Sequence, residues 1–129
     1  MSEQRNRPLR LSPLGHTWLF DHDGTIVKHN GWKEPEGDTL LDGARQMLAH
    51  LPEGDTIIFL TSRTEEQREM TEGFLKRQGI RYDHILFGLP YGERIVVNDR
   101  KPSGLETALA VNTDRDVCWD GDFLVDEGL

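Results

Sequence analysis

Several apolar runs in this chain stop abruptly at polar residues. The sharpest stop is Trp18-Leu19-Phe20 followed by Asp21-His22-Asp23-Gly24-Thr25. The run reads as a buried strand over residues 16–21, with two carboxylates one residue apart at its carboxyl end. Side chains alternate along a strand, so Asp21 and Asp23 share a side where the strand geometry persists. Two carboxylates about 4 Å apart repel by roughly 4 kcal/mol at an effective dielectric near 20. A hard divalent cation such as Mg²⁺ relieves that repulsion and prefers oxygen ligands. Open α/β sheets place their ligands at strand carboxyl ends, so the spacing points to a metal-assisted site.

The same pattern recurs downstream. Thr56-Ile57-Ile58-Phe59-Leu60 predicts a buried strand ending in Thr61-Ser62-Arg63. His84-Ile85-Leu86-Phe87 predicts a short strand, closed by the turn Gly88-Leu89-Pro90-Tyr91-Gly92. Arg94-Ile95-Val96-Val97 predicts a further buried strand ending in Asn98-Asp99, and Ala108-Leu109-Ala110-Val111 a last short strand or helix end. Between the first two strands, Leu40, Leu41, Ala44, Met47, Leu48 and Leu51 fall at helical spacing until Pro52 stops them. A second helix opens on the capping box Thr64-Glu65-Glu66-Gln67 and ends at Gly79. Alternating apolar strands and helices predict an α/β fold: a Rossmann-like, three-layer parallel sheet with helices on both faces. The loop over residues 22–38 is too short to hold a cap domain. Three polar strand ends, at Asp21 and Asp23, at Thr61 and Ser62, and at Asn98 and Asp99, are expected to converge on one rim.

At 129 residues the chain suits a single domain, expected over residues 16–129. Residues 1–15, with Arg5, Arg7, Arg10, Pro8 and Pro13, read as a flexible N-terminal arm. They hold no long apolar stretch, so neither a signal peptide nor a membrane span is expected. The net charge of −8 argues against nonspecific nucleic-acid binding, which needs a basic footprint. A local metal can nevertheless outweigh that field for a phosphorylated substrate. Cys118 is the only cysteine, which excludes an internal disulfide and suits a reducing, cytoplasmic setting. Trp119 and Phe123 are expected to pack on the domain or on a second subunit, as in a homo-oligomer.

Phe20-Asp21-His22-Asp23-Gly24-Thr25 resembles the first motif of the haloacid dehalogenase superfamily of phosphatases, an apolar strand followed by DxDGT. Leu60-Thr61-Ser62-Arg63 resembles its second motif, and Ile95-Val96-Val97-Asn98-Asp99 its acidic fourth. Order and spacing agree over roughly residues 16–112. The resemblance implies a capless, Mg²⁺-dependent hydrolase of phosphate monoesters. Asp21 would be the nucleophile that forms an aspartyl-phosphate. Asp23 would protonate the leaving oxygen and then deprotonate the attacking water. Gly24 would let the chain turn beside the phosphate, and Thr25 would orient the acidic pair. Mg²⁺ would be held by Asp21, the backbone carbonyl of Asp23, and Asp99. Thr61, through its hydroxyl and backbone N–H, would bind a phosphate oxygen, with Ser62 as the alternative contact. The lysine that many small relatives carry in a Gly-Lys-Pro turn is here Leu89, and Lys101 would supply that charge instead. The segment over residues 98–104 also resembles small capless members linked to surface-polysaccharide or sugar-phosphate metabolism, which implies a phosphorylated sugar or sugar-derived metabolite as substrate.

Other readings of the same residues remain open. Asp21 and Asp23 suit a solvated strand-end turn, and Thr61 and Ser62 an ordinary strand-to-helix junction. An EF-hand calcium loop fails, because its glycine and glutamate positions hold Ile26 and Trp32. A receiver-like phospho-acceptor domain is disfavoured because Gly88, not an aspartate, follows Phe87. Leu89 motivates the main alternative, a degenerate domain that binds phosphate or a protein partner without catalysis. His22 is expected to point away from the two acids by strand alternation.

Overall fold

The computed structural model describes residues 8–129. The architecture is mixed α/β, with one two-stranded and one three-stranded parallel sheet and two α-helices. The described residues divide into two compact units. Residues 15–90 and 113–121 form the larger, and residues 8–14, 91–112 and 122–129 the smaller.

The smaller unit contains strand β1 (Leu9–Leu11), and the larger contains β2 (Thr17–Asp21), β3 (Thr56–Leu60) and β4 (His84–Leu86). In the larger unit the strands lie in the order β2-β3-β4, all parallel, with Asp21 opposite Leu60 and Leu60 opposite Leu86. Parallel neighbours require crossover connections. Helix α1 (Ala44–His50) lies in the first crossover and α2 (Arg68–Arg77) in the second. Ile57 and Phe59 of β3, Leu48 of α1 and Leu75 of α2 are fully buried. Rings extend this core: Phe20 meets Phe59 edge-on at 6.4 Å, and Phe59 stacks on Tyr82 at 5.1 Å. Trp119 lies 5.7 Å from Trp18, so residues 113–121 pack on the body of this unit.

Helix α1 is shorter than its apolar spacing predicts. Leu40 is bridged to Val27, the Leu41 N–H donates to the Ile26 carbonyl, and Gly43 takes a left-handed φ of 86°. Backbone groups of Leu40 and Leu41 are thus spent on the loop rather than on a first helical turn. The capping box forms as expected, with the Thr64 N–H donating to Gln67 Oε1 at 2.8 Å. It opens a 3-10 turn (Glu65–Gln67) that leads into α2.

In the smaller unit β1 pairs in parallel with β5 (Phe123–Val125), Leu9 opposite Phe123. Arg10 is ion-paired with Asp126. Residues 9–11, expected within a flexible arm, are therefore held in a ladder, while the rest of that expectation over residues 1–7 lies outside the described residues. The buried strand expected at Arg94–Val97 is not formed. Ile95 is 83% and Val97 92% exposed, and no described segment pairs with them. Residues 108–111 likewise take no regular structure. An apolar run becomes a strand only where a neighbouring edge accepts its backbone bonds. Among the described residues, no helix is long and apolar enough to cross a membrane.

Candidate active site

Strand β2 delivers Asp21 at its carboxyl end, and the chain then closes a tight loop. The carbonyl of His22 accepts N–H bonds from Ile26 at 2.9 Å and Val27 at 3.1 Å, and the Gly24 N–H donates to the Val27 carbonyl at 2.7 Å. Gly24 sits at φ 87°, where an added Cβ would lie 3.4 Å from the Arg115 side chain. That conformation strains any residue with a side chain, so glycine is needed here. The Asp116 N–H donates to the Gly24 carbonyl at 2.7 Å, and Asp116 Oδ1 accepts from the His29 N–H at 2.7 Å. Residues 113–121 thereby buttress the loop.

The two carboxylates are held very differently. Asp21 is half-buried and accepts a hydrogen bond on Oδ2 from the Thr25 hydroxyl at 3.1 Å. The orienting contact expected of Thr25 is therefore made to Asp21. Asp23 is enclosed by donors. Its Oδ1 accepts from Arg63 Nε at 3.0 Å and Nη2 at 2.8 Å, and its Oδ2 from the Thr61 hydroxyl at 2.8 Å. Burial raises the pKa of Asp23, but His22 and Arg63, by hydrogen bonding and charge, outweigh it. They hold the carboxyl well below the usual carboxylate range. His22 is fully buried beside Phe59, in line with strand alternation, yet its Nδ1 comes to 3.4 Å of Asp23 Oδ2. Its Nε2 is buried without a hydrogen-bond partner among the described residues.

Thr61 is buried, and its hydroxyl also accepts the Arg63 N–H at 3.1 Å. Its backbone N–H, expected to face a phosphate, instead donates to the Leu86 carbonyl at 3.0 Å and continues the sheet ladder. Ser62 is more exposed, with its hydroxyl 3.5 Å from the Pro90 carbonyl. The Gly88-Leu89-Pro90 turn folds back on the same strand end, the Leu89 N–H donating to the Thr61 carbonyl at 3.1 Å. Leu89 thus occupies this rim with an apolar side chain.

The larger unit brings Asp21, Asp23, Gly24, Thr25, Thr61 and Ser62 to the end of β2 and β3. Asp99 and Lys101 belong to the smaller unit and are exposed. There the Lys101 N–H donates to the Leu105 carbonyl at 2.9 Å. Two charged residues missing from the sequence reading of the site are central to it. Arg63 bridges Asp23 to Asp38, with Nη1 and Nη2 at 2.9 Å and 2.7 Å from the two Asp38 oxygens. The signal for Arg63 was present, because it lies two residues beyond Thr61 and so shares its side if strand alternation continues. Asp38, in a long loop, had none.

Among the described residues, no group of three or more His, Cys, Asp or Glu is placed to hold a metal ion. Mg²⁺ does not require such a cage. It is commonly bound by one or two carboxylates, with water and substrate phosphate completing its shell. The half-buried Asp21 carboxylate suits that donor chemistry. The Asp23 carboxylate is committed to Arg63 and Thr61, which leaves its backbone carbonyl as the group to offer. No protein-family model matches this chain, and neither does any curated protein or solved structure.

Proposed function

We propose that this chain is a Mg²⁺-dependent phosphatase of the haloacid dehalogenase type, with a Rossmann-like three-layer sheet and no cap domain. It would hydrolyse phosphate monoesters, a phosphorylated sugar among them, through an aspartyl-phosphate. The observation that carries this reading is the unequal pair at the end of β2. Asp21 is half-buried and accepts the Thr25 hydroxyl, whereas Asp23 is clamped by Arg63 and Thr61. The two roles ask for carboxylates held in different ways, a nucleophile at the strand end and a proton-transfer group fixed in position.

In this reading Asp21 attacks phosphorus and displaces the alcohol; Asp23, ionised in the free protein, takes up a solvent proton as the phosphate dianion binds and gives it to the leaving oxygen. Water then attacks the aspartyl-phosphate, giving its proton to Asp23. Asp21, the Asp23 carbonyl and Asp99 would hold Mg²⁺, whose positive charge would shield the carboxylates from the phosphate dianion. Ser62 would meet a phosphate oxygen at the end of β3, while Thr61, its hydroxyl and N–H already donated, would hold Asp23 in place. Lys101 would supply the charge for which Leu89 offers no substitute. Asp99 and Lys101 enter on the sequence motif alone.

The test is phosphate release with Mg²⁺ from a panel of sugar phosphates and from p-nitrophenyl phosphate, comparing the parent with Asp21→Asn. Turnover in the parent and none in the variant is expected; equal turnover in both defeats the assignment. Leu89 on the rim supports a second reading, a non-catalytic phosphate-binding domain. That reading predicts calorimetric phosphate binding with no turnover in either protein.

A further inference from the structure

The guanidinium of Arg63 is almost wholly enclosed, its side chain 2% exposed. Its donors make five hydrogen bonds: two to Asp23, two to Asp38, and one from Nη1 to the Thr71 hydroxyl at 2.9 Å. Guanidinium carries five N–H groups, so this set leaves no donor for a substrate phosphate. The planar fork also fixes direction, because a bidentate pair resists rotation where a point charge does not. The Asp38 side chain is 2% exposed and provides the counter-charge that lets a cation stay buried. Thr71 anchors the arrangement to α2.

We propose that Arg63 is a positioning residue for Asp23. Anchored by Asp38 and Thr71, it immobilises Asp23 Oδ1 and leaves Oδ2, which Thr61 meets at 2.8 Å and His22 Nδ1 at 3.4 Å, as the edge for proton transfer. This rests on the reading of Asp23 as the proton-transfer group. Its consequence falls on the second half-reaction. There a water oxygen bonds to phosphorus, and the P–O bond to Asp21 breaks with its electron pair returning to the carboxylate. One water proton passes to Asp23. Misplacing a reacting group by about 1 Å typically costs on the order of 10²-fold.

The experiment uses p-nitrophenyl phosphate, whose leaving group needs little help from an acid, so the first half-reaction is spared. Arg63→Lys keeps the charge and loses the fork. The expected result is a rapid burst of about one p-nitrophenolate per folded molecule, followed by slow turnover. Steady-state kcat should fall about 10²-fold, while kcat/KM stays within a few-fold of the parent. Asp38→Asn loosens the anchor without touching Asp23. It should give the same burst with a smaller fall in kcat, about 10-fold, and remains informative if Arg63→Lys does not fold. Circular dichroism counts folded molecules. A merely structural role would lower burst and steady-state rates together. Unchanged kcat in both variants, or equal losses of kcat and kcat/KM without a burst, overturns the proposal. A parent that shows no turnover, like Asp21→Asn, instead overturns the phosphatase reading.

Discussion

At the amino end of β2, Asp55 accepts the His16 N–H at 3.0 Å and the Trp18 indole N–H at 2.9 Å, with His16 Nδ1 at 2.7 Å. At the carboxyl end, Asp23 accepts Thr61 and the fork of Arg63. Both aspartates are ionised under ordinary conditions. Burial raises the pKa of each, and hydrogen bonds and neighbouring charge bring it below the usual range. What separates the two ends is what surrounds the clamped carboxylate. At the amino end the donors to Asp55 come from His16, just before β2, and from Trp18 within it. The carboxyl end adds a fixed cation, that cation's own counter-ion Asp38, and a second carboxylate, Asp21, on the same strand. A clamp alone stabilises the fold. A clamp beside a differently held acid also creates a pair whose members can do different jobs.

The comparison breaks most plainly through activity. Asp21→Asn should lower turnover by about 10⁴-fold or more while its thermal midpoint stays near that of the parent. Asp55→Asn should do the reverse, leaving the rate per folded molecule intact and lowering stability by about 1.5–3 kcal/mol in urea unfolding. If Asp55→Asn abolishes turnover in folded protein, the two ends do not divide in this way. The next effect is the loss of the cation. Arg63→Ala leaves buried Asp38 unpaired and should cost about 3–5 kcal/mol by the same measurement, more than any change at Asp55.

Acid sharpens the contrast. A carboxylate with a depressed folded pKa contributes stability that is fully present above its unfolded pKa, about 3.9. That contribution is lost as pH falls through the folded value. Stability measured from pH 7 downward should therefore decline on the acid side. Asp23→Asn should flatten that decline more than Asp55→Asn, because Asp23 is displaced further. A steeper acid decline in either variant contradicts the assignment. The smallest expected effect is that of Thr61→Val, about 1–3 kcal/mol in urea, because its hydroxyl serves both Asp23 and the Arg63 N–H.

Much of the larger unit was legible in the chain. Strand β3 falls on the predicted residues, β2 differs by one residue, and Gly79 adopts φ 65° at the end of α2 as a helix-closing glycine should. These features depend on local periodicity and on residues with restricted or permissive backbones. The pairing of β1 with β5 was not legible. Each strand is three residues long, and their register joins opposite ends of the chain. The run Arg94–Val97 shows the converse, a strong strand pattern with no neighbouring strand among the described residues. Within the site, DxDGT announced both acids, while Thr61 was read as a phosphate contact because a motif reports residue types and not their partners.

The order of residues alone settled which segments bury apolar side chains, where the chain must turn, and that two carboxylates follow β2. Those outcomes are local, governed by spacing and by the backbone freedom of glycine and proline. Only the folded chain decided that Asp23 is the clamped acid and that Asp38 completes the clamp. A buried charge is tolerated only where partners from distant segments arrive together, and their arrival is a property of packing in three dimensions.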